Sequence, residues 1–97
     1  MFGTTPFRAI DERLDTPPLH PGEVLREDML PHFRVSASEL ARHLQVPHRI
    51  VDALLSERGR VTEALAARLG AAFGQGAHYW LALQRQHDRW QHAIGEA

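Results

Sequence analysis

The sequence predicts an all-α domain of five helices, preceded by a short arm or small helix, with a helix-turn-helix at its centre. Three observations carry this. Residues 36–60, SASELARHLQVPHRIVDALLSERGR, hold two apolar stripes at helical spacing on either side of a Val46-Pro47 break. Further stripes lie on both flanks, each bounded by capping or stop signals. Ninety-seven residues suffice for one domain around one small core, and the chain has no cysteine, so no disulfide framework or cysteine metal site is expected.

Residues 1–19 read as an arm. Thr5-Pro6 is a helix-start signal, Phe7, Ile10 and Leu14 fall on one face, and Asp15-Thr-Pro-Pro stops the run, giving a short helix over 6–14. Such a helix is too short to stand alone. Either it packs on the body of the chain or a partner holds it.

The body, residues 20–97, opens at His20-Pro21-Gly22-Glu23, where proline suits a first turn and glutamate the positive end of the helix dipole. Val24, Leu25, Met29 and Leu30 make a core face, and Pro31 is expected to end the helix. Arg26 either reaches Glu39 on the next helix or stays solvated.

Ser36 followed by Glu39 is a capping box, and Leu40, Ala41 and Leu44 form the first stripe of the central pair. Val51, Leu54 and Leu55 form the second. Counting from Ala37, the small residue that a helix-turn-helix crossing needs at its fifth position is Ala41. The buried aliphatics needed at the fifteenth and eighteenth are Val51 and Leu54. Gln45 stands where the turn usually has glycine, so either the core tolerates a residue at positive φ, at roughly 1–2 kcal/mol, or the turn is built differently. On spacing alone, a helical hairpin with no nucleic-acid role stays open beside a DNA-reading motif.

Residues 57–61 form a loop. Thr62 caps a helix over 63–73 with Leu65, Ala66, Leu69 and Phe73 inward, and Gly74 stops it. A last helix over about 77–92 carries Trp80, Leu83, His87, Trp90 and Ile94 at 3-4-3-4 spacing, a coiled-coil-like seam expected to join two copies. Trp80 is drawn toward the core and Trp90, near the chain end, is the main dimer candidate.

Charge sharpens the centre. All eleven basic residues are arginine, in keeping with a GC-rich genome. Residues 1–30 hold three arginines against six acids and 31–60 five against three, while 61–97 balance at three each. The helix-turn-helix is therefore the basic third of a chain whose net charge is −1, as phosphate contacts require. The acidic N-terminal third suits a basic partner. No apolar run approaches the ~18 residues of a membrane span, and the N-terminus lacks a signal peptide's apolar core, so a soluble cytoplasmic protein is expected. Seven histidines include no HxxxH or HExxH. His43/His48 and His87/His92 are five apart and so lie on different helix faces, and Asp88/His92 reads as a surface pair. No GxSxG, phosphate loop or paired carboxylate is present. Neither catalysis nor a cofactor or metal is expected.

The blocks HPGEVLREDML, SELARHLQVPHRIVDALLSERGRVT and LAARLGAAFGQGAHYWLALQ, in that order over about residues 20–92, resemble the HigA family of antitoxins in the Xre-type helix-turn-helix class. The resemblance implies a lambda-repressor-like domain and a dimer that represses its own operator. It also implies neutralisation of a HigB toxin, a small basic RelE-like ribonuclease that cuts mRNA on the ribosome. The antitoxin would have no activity of its own.

Carried onto this sequence, the resemblance puts His48 and Arg49 at the start of the recognition helix, with Asp52 and Ala53 one turn on. Arg49 would read guanine, while Asp52 either accepts from a cytosine amino group or holds Arg49. Ser36 and Ala37 match the phosphate-contacting start of the first motif helix. Ala37 replaces the usual glutamine, so that contact falls to backbone N–H or is absent. Ser56, Arg58 and Arg60 match the phosphate loop after the recognition helix. Gly76 replaces a Ser/Thr cap on the last helix. The toxin-contact surface does not carry over by resemblance. The acidic arm with Phe7, Ile10, Asp11 and Leu14 is the candidate from the residues themselves. A stand-alone regulator without a toxin, and an interaction module without DNA binding, are the alternatives.

Overall fold

The computed structural model describes residues 18–95, with side chains as far as Ala93. The Phe7, Ile10, Asp11 and Leu14 stripe lies outside the described residues, and Ile94 is described as backbone only. Five helices are present among the described residues. The first, α1, is continuous and built from Pro21–Val24, a π-helical turn Leu25–Met29, and Leu30–Phe33. Helix α2 spans Ala37–Leu44, α3 His48–Leu55, α4 Glu63–Phe73 and α5 Ala77–Gly95.

Pro31 does not end α1, contrary to expectation. A proline ring inside a regular helix clashes with the carbonyl four residues back and supplies no amide hydrogen. The turn before it is wider: the Leu30 amide donates to the Leu25 carbonyl, five residues back, so Pro31 enters as the first turn of a fresh α segment. The helix stops three residues later at Arg34, which takes a left-handed conformation (φ 54°).

His20 starts α1 in a way the sequence left unread. Its Nδ1 accepts the Gly22 amide at 2.9 Å, doing the work of a capping side chain. Gly22 meets the end of α3 so closely that a β-carbon there would fall on the Leu54 carbonyl. Gly70 likewise leaves no room between α4 and the Gly76–Ala77 backbone.

The core draws on every helix: Val24, Leu25 and Met29 from α1, Leu40, Ala41 and Leu44 from α2, Val51 and Leu54 from α3. Helix α4 adds Leu65, Ala66, Leu69, Ala72 and Phe73, and α5 adds Tyr79, Trp80 and Leu83. Phe73 lies between Phe33 and Trp80, at ring-centroid distances of 5.6 and 6.2 Å. Trp80 and Leu83, placed in the seam between copies, have 0% and 1% of their surface exposed, so both are spent on the chain's own core. His87 packs edge-on against His20 at 4.7 Å and remains half-buried, as does Trp90. Among the described residues, no helix is long and apolar enough to cross a membrane, and none of their side chains cluster as metal ligands.

Candidate nucleic-acid interface

Helix α2 begins on the expected capping box. Ser36 Oγ accepts the Glu39 amide at 3.1 Å and Glu39 Oε1 accepts the Ser36 amide at 3.2 Å. These bonds hold the Glu39 carboxyl below its ordinary pKa, chiefly through the Ser36 backbone. The N–H groups of Ala37 and Ser38, in the first turn, have no acceptor within the helix, so the backbone at Ala37 is an anion-facing donor set.

The turn is strained. Gln45 adopts φ 58°, ψ 45°, the left-handed conformation, and its amide closes onto Ala41 and Arg42 carbonyls. The Val46 amide donates to the Ala41 carbonyl. Arg68 of α4 reaches across to the Leu44 carbonyl at 2.6 Å, satisfying the end of α2. The core tolerates a non-glycine turn because three separate donors hold its carbonyls.

Helix α3 buries Val51 and Leu54 and leaves His48, Arg49, Ile50 and Asp52 exposed. His48 Nδ1 lies 2.8 Å from Asp52 Oδ2. Asp52 therefore braces His48, one full turn away, and not Arg49, as the four-residue spacing favours. Arg49 stands beside this pair on the exposed face. Ala53 is half-buried, and its carbonyl accepts the amides of both Arg58 and Gly59.

The loop leaving α3 is tightly tied. Ser56 Oγ donates to backbone carbonyls of α3 and accepts Arg58 Nε at 2.9 Å. Arg60 is also engaged within the chain. Its guanidinium grips Asp88 of α5 with two bonds of 2.8 and 2.7 Å, which lowers the Asp88 pKa. Gln84, almost fully buried, bonds Asp88 at 3.0 Å and accepts the Val61 amide at 2.8 Å. Arg60 is thus a strap from the loop to α5, and Arg58 is the loop's outward cation. Arg26 does not approach Glu39, which is engaged in the capping box. It donates instead to the Leu55 carbonyl at 2.7 Å and to Glu57 and Glu27, each at 3.0 Å.

The sequence reading missed Gln84, Arg68 and His20 as supports. For Gln84 the signal was there: a polar residue beside the apolar positions 80 and 83 of one helix. The outcome is a basic, braced head with Arg49 at its tip and Arg58 at its edge.

No family model matches the chain. It is 41% identical over 75 residues to virulence-associated protein I of Dichelobacter nodosus, covering 76% of this chain and 68% of that one. Its fold superposes on the Pseudomonas aeruginosa antitoxin HigA solved with the higBA promoter (TM-score 0.79, 32% identity, 82% of this chain and 86% of that one). It also superposes on an addiction module antidote protein of the HigA family from Coxiella burnetii (TM-score 0.73, 37% identity, 78% and 83%). The chain spans about two thirds of the length of the curated relatives it matches. With the five-helix fold and the basic helix-turn-helix head already in place, these likenesses are decisive: the chain belongs to the HigA family of Xre-type helix-turn-helix antitoxins.

Proposed function

We propose that this chain is the antitoxin of a HigB/HigA-type toxin–antitoxin module. As a homodimer it binds its own operator and represses its operon. It neutralises a RelE-like, ribosome-dependent mRNA endonuclease by direct binding and performs no catalysis itself. One observation carries the DNA half: α3 presents Arg49 from a first turn stiffened by the His48–Asp52 pair, on a fold that P. aeruginosa HigA uses with its promoter. A dimer would place two such helices about one DNA turn apart on a palindrome.

In the major groove Arg49 would give two parallel N–H donors to guanine O6 and N7. Ser36, the Ala37 backbone, Ser56 and Arg58 would set the register on phosphate. His48 and Asp52 would contact the neighbouring bases as a linked pair, with Ala53 behind them. Arg60 would add charge beside the loop while its hydrogen bonds go to Asp88. His87, Trp90 and Ile94 would form the contact between copies, joined by no further surface of Trp80 or Leu83.

The test is a gel shift with the DNA upstream of its own gene at several salt concentrations, together with co-purification of the neighbouring gene's product. Binding that weakens steeply with salt, and a captured small basic protein, support the proposal. Failure to bind that DNA at low salt removes the repressor half. DNA binding without a captured partner makes the chain a stand-alone regulator.

A further inference from the structure

We propose that Ile50 is a specificity residue: its side chain packs on the 5-methyl group of a thymine beside the guanine that Arg49 contacts. This rests on the operator reading above.

Among the described residues, Ile50 is the one large hydrophobic side chain that stands exposed, with 38% of its surface open. A scattered apolar residue on a surface is ordinary, so its place decides the matter. It is the third residue of the recognition helix and follows Arg49 directly. The apolar anchors of that helix, Val51 and Leu54, are both 2% exposed, and Ile50 is not among them. Its amide donates to the Pro47 carbonyl at 3.0 Å, which closes the first turn.

A β-branched side chain on a closed helical turn has few rotamers. Little freedom is lost when it meets a surface, and its contact area is already in place. The flank across from it is polar, occupied by the His48–Asp52 pair. The head therefore offers a rigid donor fork and, one residue on, an apolar edge. In the major groove thymine is the base that carries a methyl group, and apolar side chains discriminate it by contact alone. A guanine and a nearby thymine are the bases that match the two features together.

The experiment removes the methyl without touching hydrogen bonding. The duplex that the wild-type protein selects from a randomised pool is resynthesised with deoxyuridine replacing each thymine in turn. Affinities are then measured for wild type, Ile50→Ala and Ile50→Thr. At one thymine near the contacted guanine the wild type is expected to lose about fourfold, the worth of one buried methyl group. Ile50→Ala is expected to start weaker and lose nothing further there. Ile50→Thr keeps the branched β-carbon with a hydroxyl in place of the ethyl arm, so it serves as the second variant, with a smaller response than wild type. A methyl loss felt equally by all three proteins overturns the assignment, as does a wild type indifferent at every thymine. Selection of no DNA at all overturns the operator reading and this assignment with it.

Discussion

Arg49 and Arg58 carry the same charge, yet their surroundings suit them to different work in the proposed operator complex. Arg49 projects from a helix start beside a fixed His48–Asp52 pair, and Arg58 is held at Nε by Ser56 with its remaining donors turned outward. Arg49→Ala is expected to lose roughly 1–3 kcal/mol of operator binding and to relax base preference. Arg58→Ala should weaken binding to all sequences alike and lower the salt slope by about one. Titrations on matched and mismatched duplexes at two salt concentrations separate the two outcomes. Gln45 is the opposite kind of residue, one that stores strain. Gln45→Gly removes the cost of a side chain at φ 58° and is expected to stabilise the fold by about 1 kcal/mol in urea unfolding. His20 adds a pH dependence. Burial, and then its neighbour His87, lower its pKa below the ordinary 6.5, with Glu57 and the Gly59 backbone opposing and Arg26 assisting. The unfolded chain therefore binds more protons than the folded one below pH about 6.5, and stability falls as pH drops toward 5. His20→Asn keeps an acceptor for the Gly22 amide and should flatten that fall when urea midpoints at pH 7.5 and 5 are compared.

Each element's existence was legible because its signals are local. The Ser36–Glu39 box, the Thr62 cap and the Gly74 stop lie within a few residues of what they control, and the structure places all three as the spacing predicts. Apart from the His20 cap and the π turn before Pro31, which are local, what escaped was long-range. Arg60 gripping Asp88, Arg68 capping Leu44 and Arg26 reaching Leu55 join residues 28, 24 and 29 apart in sequence, and nothing in a side chain's type says which of several partners it will meet. The seam of α5 failed in part for the same reason: periodicity shows that Trp80, Leu83 and His87 share a face but not whether that face meets the chain's own core. The crossing of elements yields its own prediction. Gly22→Ala should destabilise the protein by about 1–3 kcal/mol or more, because the new methyl meets the Leu54 backbone and the α1–α3 approach must open. Thermal melts give the comparison, with Ala71→Gly, at an exposed position on α4, as a control for the ordinary propensity cost alone.

At the scale of the whole molecule, charge is sorted. The basic third of the sequence holds the helix-turn-helix, the acidic third includes Glu23, Glu27 and Asp28 of α1, and α5 is strapped to the exit loop through Arg60, Asp88 and Gln84. The candidate site was largely legible for this reason, since both the charge map and the helix spacing converge on residues 36–60. The arm was legible only as an acidic segment with an apolar stripe at Phe7, Ile10 and Leu14, so its role is a proposal tested by removal. Deleting residues 1–18 is expected to weaken capture of a basic toxin while leaving operator affinity nearly unchanged. Pull-down of the toxin beside a gel shift reads both, and unchanged toxin capture would sink the idea.

The π turn in α1 also sets a clock. Each residue of an α-helix advances the side chain by about 100°, so in an unbroken helix Phe33 would point roughly a quarter-turn away from the Val24–Leu25–Met29 stripe. The wider turn absorbs one extra residue and winds everything after it back by nearly that angle. Phe33 thereby lands against Phe73, and the chain leaves at Arg34 aimed into the helix-turn-helix. The π turn thus keeps Phe33 on the core side of α1 although a proline stands within the helix.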